Sequence, residues 1–216
     1  MQPSGCSIFL AWGAMFSALE VVPLAIIGFE AYATYGLRKS QPWVAHYHWA
    51  IMFFVATAFW NLFGAGMLGF LINTPTALYF IQGLNTTATH AHGAFMGVYG
   101  NLGIGLMLFC MVGITKRVGW QDRPLKWAFW SINIGLMAMI VMSLLPVGIV
   151  QFVASVEHGY WFARSPEIIQ SDLVRSLVWN RMWGDVIFSF GGLSLAYFVI
   201  RLIRGCFWKK RCRSYR

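Results

Sequence analysis

The sequence predicts an all-α, polytopic membrane protein with about five transmembrane helices in one bundle. Of its 216 residues, 58% are hydrophobic and only 11% are charged, whereas a soluble domain carries roughly 25% charged residues. The apolar residues form runs long enough to cross a bilayer of about 30 Å, which takes about 20 helical residues. No strand-like alternation competes with these runs. Because backbone polar groups in hydrocarbon must be satisfied within each segment, the runs are predicted to be helices.

Five segments have the required length. They are expected at about 7–35, 48–72, 86–114, 125–153 and 177–203, with Pro and Asn residues marking the connections. The sequence contains no internal repeat and no low-complexity linker. Residues 1–216 are therefore predicted to form a single membrane domain.

The basic residues are concentrated on one side of the predicted bundle. The formal net charge is +9, and Lys and Arg follow the first, third and fifth spans, at 38–39, 116–126 and 201–216. With five spans these regions share one side, which the positive-inside rule identifies as the cytoplasm. The basic tail, residues 204–216, is therefore expected to be cytoplasmic and to contact anionic membrane lipid. Such a charge bias is ordinary membrane topology and argues against nucleic acid as a partner.

His90 and His92, inside the third span, are the strongest candidate functional residues. On a helix, residues two apart are separated by about 200°, so the two imidazoles point to opposite faces and do not readily share one metal ion. An ionisable side chain inside a membrane helix is costly and indicates a functional site by default. The pair favours two haems, one on each side of the helix. The cysteines form no C-x-x-C-H motif, so such haems would be held by axial ligands alone.

Glu20, near the middle of the first span, is the second candidate. A lone carboxylate at this depth is neutral, paired or in a wet cavity. It either supplies protons to a reaction centre, supports a metal ligand, or is a protonated acid that bonds a neighbouring helix. The glycines between 93 and 105 suit either helix packing or the close approach of a flat ligand. The residues Asn85-Thr86-Thr87 are candidate caps for the third helix.

The other ionisable residues are weaker candidates. Arg181 and Asp185 lie one turn apart on the fifth span and are expected to form an ion pair. His46 and His48 lie among aromatic residues at a membrane boundary, where an aromatic belt explains them. His158 is expected in an outer loop, in contact with solvent or with the membrane interface.

Two motifs, in this order, resemble the catalytic subunit of bacterial nitric-oxide reductases, a family of the haem-copper oxidase superfamily. FSALEVVPL at 16–24 resembles the segment that carries a buried glutamate in that family. THAHGAF at 89–95, followed by GVYG at 97–100, is similar to the family's haem-ligand helix. The stretches at 157–164 and 179–185 look closest to the quinol-dependent branch. The resemblance extends from about residue 9 to residue 203.

The resemblance implies a role for each of the main candidates. His90 would be the axial ligand of a high-spin haem iron at the reaction centre, His92 one of two axial ligands of a low-spin haem iron, and Glu20 an acid involved in proton supply. The implied cofactors are two b-type haems, with a non-haem iron at the second metal site. The implied reaction converts two nitric oxide molecules to nitrous oxide and water, using two electrons and two protons. Quinol, or alternatively cytochrome c, would be the electron donor, and denitrification at the bacterial inner membrane the setting.

The resemblance covers only the last five of the family's roughly twelve helices. In the family, the ligands of the non-haem iron and the second ligand of the low-spin haem lie upstream of this region. His46, His48 and His158 do not replace them, because they are predicted at the boundaries of the bundle or outside it. We therefore expect an oxidoreductase component that is inactive alone, either a truncated fragment or one part of a split enzyme completed by a separate chain. The alternative is a non-catalytic haem-binding or structural membrane fragment, and an oxygen-reducing relative is disfavoured.

Overall fold

The computed structural model describes residues 6–19, 21–38, 41–115 and 120–213, and these residues form helices joined by short connections. No strand occurs within these ranges. The α-helices are, in chain order, α1 (Cys6–Leu19), α2 (Val21–Arg38), α3 (Pro42–His46), α4 (His48–Asn73), α5 (Pro75–Ile81), α6 (Asn85–Thr115), α7 (Asp122–His158), α8 (Pro166–Ile169) and α9 (Asp172–Arg213). A short 3-10 helix, Phe162–Arg164, lies between α7 and α8. The predicted all-α, polytopic fold class is confirmed.

Among the described residues, the helices α4, α6, α7 and α9 are long and apolar enough to cross a membrane. They coincide with the second to fifth predicted spans and extend past the predicted ends. The reason is that the apolar residues cover only the part of each helix that crosses the hydrocarbon. The backbone hydrogen bonds of the helix continue beyond it into the membrane–water interface. The first predicted span corresponds to α1 and α2, which are helical up to Leu19 and from Val21 onwards. Glu20 itself lies outside the described residues.

Each of α4, α6 and α7 contains a π-helical segment that the sequence pattern did not predict. These segments are Asn61–Met67, Gly93–Gly100 and Ile140–Leu144. In a π-helical turn the backbone bonds i to i+5, which is rare and frequent at functional sites. The segments of α4 and α6 face each other, and the segment of α6 begins directly after His92.

Glycines allow the close helix crossings of the bundle. A Cβ added to Gly64 of α4 would lie 2.8 Å from the Cα of Gly93 on α6, so these two backbones touch. In the same way, a Cβ on Gly97 would meet the indole of Trp60 at 2.6 Å, and one on Gly105 would meet the ring of Phe54 at 2.6 Å. Helix packing therefore explains why α6 has glycine at positions 93, 97 and 105.

A buried polar network joins α4, α6 and α7. The indole Nε1 of Trp60 donates to Oδ1 of Asn133 at 2.8 Å, and the amide of Asn101 donates to the same oxygen at 3.2 Å. Asn101 also donates to the backbone oxygen of Gly97 at 2.7 Å, and Asn133 to that of Phe129 at 2.9 Å. Trp60 is 1% exposed and Asn101 is fully buried. Because every member has partners, the network adds specific contacts between the three helices without leaving a polar group unsatisfied.

The start of α6 is held by α7, and the prediction that Asn85-Thr86-Thr87 caps this helix is wrong. No side chain caps it, and Leu84 occupies the capping position. Instead, Oε1 of Gln151 accepts a hydrogen bond from the backbone N–H of Asn85 at 2.9 Å. Gln151 is buried within α7, so a neighbouring helix satisfies an amide that would otherwise need a local cap. This contact anchors the first turn of α6, the helix that carries His90.

Candidate functional site on helix α6

His90 and His92 project from α6 towards different neighbouring helices. The ring of His90 contacts α4, and that of His92 contacts α9. This arrangement follows from the two-residue spacing on one helix. Both rings are partly buried.

One ring nitrogen of His90 is hydrogen-bonded, and the ring packs against a glycine of α4. Its Nδ1 lies 3.0 Å from the backbone oxygen of Gly64. Since a carbonyl oxygen only accepts, Nδ1 is the nitrogen that donates, and in the neutral imidazole this places the lone pair on Nε2. A Cβ added to Gly69 would lie 3.0 Å from Cε1 of this ring, so the glycine leaves room for the imidazole. The two glycines of α4 thus set both the proton position and the location of the ring.

His92 adopts the same tautomer through a bond within its own helix. Its Nδ1 lies 2.8 Å from the backbone oxygen of Ala88, so Nδ1 is again the protonated nitrogen. Its Nε2 accepts a hydrogen bond from Nη2 of Arg181 at 3.3 Å. Nε of Arg181 in turn donates to Oδ1 of Asp185 at 3.3 Å. The predicted Arg181–Asp185 ion pair is confirmed, and its contact with His92 is an addition that the sequence did not reveal.

Both imidazoles are arranged as metal ligands usually are. A neutral histidine ligates through the nitrogen that carries a lone pair, while its other ring N–H donates to a carbonyl or carboxylate that orients the ring. His90 and His92 each meet the second requirement with a backbone oxygen. Each therefore presents an unprotonated Nε2, one on either side of α6. This donor chemistry fits axial ligation of haem iron.

Beside His92, α9 borders a groove of about 770 Å³. Most of its lining is apolar, but Arg181, Asp185 and Ser189 line it as well, one helical turn apart. All of its lining residues belong to α9, so the groove is an open face of this helix. The groove could have been suspected from the sequence, because two charged residues interrupt an otherwise apolar span.

The other candidates lie apart from the pair. His46 and His48 are exposed and pack on their aromatic neighbours Tyr47 and Trp49. His158 is exposed at the end of α7. Within the described part of the chain, no group of three or more His, Cys, Asp or Glu side chains is placed to hold a metal ion. Among the described residues, the candidate metal ligands are therefore His90 and His92 of α6, each acting as a single ligand.

The fold and the histidine pair are those of a multi-pass membrane protein with candidate haem ligands. The chain belongs to the cytochrome c and quinol oxidase polypeptide I family, whose model matches residues 5–187. Over 203 residues it is 28% identical to a nitric oxide reductase subunit of Stutzerimonas stutzeri. That match covers 88% of this chain and 40% of the relative, so the chain spans less than half of the length of this relative.

The resemblance to nitric-oxide reductases within the haem-copper oxidase superfamily is thus confirmed. Membership of this family implies haem cofactors in general. The long apolar helices α4, α6, α7 and α9 and the family together indicate a multi-pass membrane protein.

Proposed function

We propose that this chain is the haem-binding part of a nitric-oxide reductase, which converts two nitric oxide molecules to nitrous oxide and water. Two electrons and two protons are consumed, and quinol is the proposed electron donor. The observation that carries the proposal is the pair of imidazoles on opposite faces of α6, each with Nδ1 bonded to a backbone oxygen. Membership in the oxidase family and the similarity to a component of nitric oxide reductase support it.

In this proposal His90 holds the high-spin haem and His92 the low-spin haem. Haem iron, when bound, supplies the site for nitric oxide and the path for electrons. The backbone oxygens of Gly64 and Ala88 hold the two rings in the ligating tautomer before iron arrives. Because one helix carries both ligands, the two cofactors would be held on either side of it.

Glu20 is the proposed proton donor of the same site. The proposal rests on its place in the sequence, an acidic residue in the middle of an apolar run. Carboxylic acids in apolar surroundings are suited to proton transfer, because burial disfavours the charged form. The expected effect of Glu20→Gln is near-normal haem content with a sharp loss of turnover in the assembled enzyme.

Further residues are required for the complete reaction. The non-haem iron and the second ligand of the low-spin haem are proposed to come from additional helices, in the same polypeptide or in a separate chain. Two observations support this: the match covers only 40% of the relative, and the described residues offer no cluster of metal ligands. The proposed location is the bacterial inner membrane, with the basic end of α9 on the cytoplasmic side.

A structural membrane bundle without cofactor is the second candidate. The contact between Arg181 and Nε2 of His92 favours it, because this contact satisfies the imidazole without any metal. The two candidate functions make different predictions: the first expects the purified protein to retain haem, and the second expects it to contain none.

The deciding experiment measures haem and non-haem iron per chain after mild detergent extraction, together with mass spectrometry of any co-purifying chain. We expect His90→Ala to remove the high-spin optical signal while sparing the low-spin one, and His92→Ala to do the reverse. The exposed His158→Ala is the matched control and should change neither signal. If both signals persist in both variants, α6 is not the haem-ligand helix. If the unaltered chain and its partners hold no haem, the structural alternative is correct.

A further inference from the structure

Helices α7 and α9 pack antiparallel, so the start of α7 lies beside the later turns of α9. A Cβ added to Gly135 of α7 would lie 2.5 Å from the backbone nitrogen of Phe188 on α9. Three residues closer to the start of α7, the backbone nitrogen of Ile132 lies 2.8 Å from a Cβ added to Gly191, three residues further along α9. The two helices therefore run past each other one residue against one residue.

This register places two exposed arginines at the same level of the bundle. Continued by nine residues along each helix, it sets Arg123 of α7 level with Ile200, the neighbour of Arg201 on α9. Leu125 and Phe198 belong to one buried core cluster, so the two helices are still packed together at this level. Both arginines are exposed.

The two arginines also lie on the same side of the α7–α9 pair, next to an exposed aromatic surface. Trp127 of α7 and Phe190 of α9 are in edge contact on this side, with ring centroids 6.2 Å apart. Arg123 is one helical turn from Trp127, so it shares the face of that residue. Arg201 is eleven residues, or three turns, from Phe190 and shares its face in the same way. Trp127 is 61% and Phe190 51% exposed, on helices able to span a membrane, so this surface faces lipid.

The guanidinium groups have donors available for an anion. Nη1 of Arg201 donates to the hydroxyl of Tyr197 at 2.8 Å, and its Cζ lies 5.7 Å from the centre of that ring. This contact orients a guanidinium that carries five N–H groups and leaves most of them available. Within the described part of the chain, no carboxylate forms an ion pair with Arg123 or Arg201. Asp122, the neighbour of Arg123, accepts a hydrogen bond from Nε1 of Trp49 on α4.

We propose that this surface binds one anionic phospholipid. The phosphate lies between Arg123 and Arg201, and an acyl chain lies along the aromatic pair. Guanidinium groups bind phosphate oxygens through parallel N–H bonds, and the aromatic rings supply an apolar surface at the membrane interface. A ligand with an anionic head and an apolar body is the one that satisfies both parts. The site is separate from the histidine pair of α6, so the inference does not depend on bound haem.

The test counts the lipids bound to the full chain by native mass spectrometry, after lipid is removed in detergent. Phosphatidylglycerol, which is anionic, is compared with phosphatidylcholine of the same acyl chains, which is zwitterionic. Arg123→Gln and Arg201→Gln should each reduce the preference for phosphatidylglycerol about fivefold, which corresponds to about 1 kcal/mol for one cation near anionic lipid. We therefore expect a preference of about 25-fold in the unaltered chain and none in the double variant.

The matched control is Arg175→Gln. Arg175 is an exposed arginine near the opposite end of α9, so this variant loses the same net charge as Arg201→Gln. It should keep the full preference for phosphatidylglycerol. The comparison of the two lipids in the unaltered chain does not depend on how well any variant folds.

Four results would overturn the inference. The first is an equal affinity of the unaltered chain for the two lipids. The second is a preference that survives the double variant, or that Arg175→Gln reduces as much as Arg201→Gln, because net charge then selects the lipid. The third is displacement of the lipid by inorganic phosphate, which would indicate an anion site that needs no acyl chain. The fourth is a co-purifying chain that blocks lipid binding until it is removed, because a protein partner then covers this surface.

Discussion

Replacing Gly64 with alanine should push α4 away from α6 at the place where His90 is held. The added Cβ would lie 2.8 Å from the Cα and 3.0 Å from the carbonyl carbon of Gly93. Both neighbours are backbone atoms in a helix, so no side-chain rotation relieves the contact. Ordinary contact begins at 3.4 Å. The two helices must therefore separate by about 0.6 Å or bend locally.

This displacement has two energetic consequences. Overpacking of a close-packed interior costs roughly 1–3 kcal/mol. The bond from Nδ1 of His90 to the oxygen of Gly64, now 3.0 Å, would weaken as α4 moves, and a typical hydrogen bond contributes about 0.5–1.5 kcal/mol. We expect Gly64→Ala to lower the free energy of unfolding by about 2–4 kcal/mol and to reduce occupancy of the haem that His90 holds.

The assay is denaturant unfolding of the full chain in detergent, combined with haem content by absorbance. Gly103→Ala is the matched control, because this glycine of α6 has no atom within 4 Å of an added Cβ. Alanine is favoured over glycine in a helix by roughly 0.5–1 kcal/mol, so the control should be neutral or slightly stabilising. The reasoning is refuted if Gly64→Ala is as stable as Gly103→Ala and keeps full haem content.

Two further changes test contacts that hold α6 in place. Asn133→Leu removes the acceptor of the indole N–H of Trp60 and of the amide of Asn101, and should lower the free energy of unfolding by about 1–3 kcal/mol. Unchanged stability and tryptophan fluorescence would show that the network is dispensable. Gln151→Leu removes the acceptor of the Asn85 amide, and should speed hydrogen exchange in the first turn of α6 but not in the middle of α9. Equal exchange in both proteins would contradict that assignment.

Features that depend on local spacing could be predicted from the sequence. Apolar windows located the membrane-spanning helices α4, α6, α7 and α9, because desolvation in a bilayer requires about 20 apolar residues in a row wherever they occur. The divergence of His90 and His92 follows from helix geometry alone. The Arg181–Asp185 pair was likewise predictable, since residues four apart are neighbours on any helix.

Contacts between distant parts of the chain could not be predicted in this way. Capping residues were expected at the start of α6, whereas Gln151, 66 positions along from Asn85, satisfies that amide. No local pattern indicated that Gly64 would accept the proton of His90, 26 positions away. The contact between Arg181 and His92 spans 89 positions.

The sequence by itself therefore determined the membrane class, the helices and the two candidate ligands, because these follow from hydropathy and from the repeat of a single helix. Only the tertiary structure decided which neighbouring helix each imidazole meets and, for His90, which ring nitrogen donates to that neighbour. That choice depends on the packing of α4, α7 and α9 around α6, where glycines allow backbones to touch and distant side chains supply the hydrogen bonds.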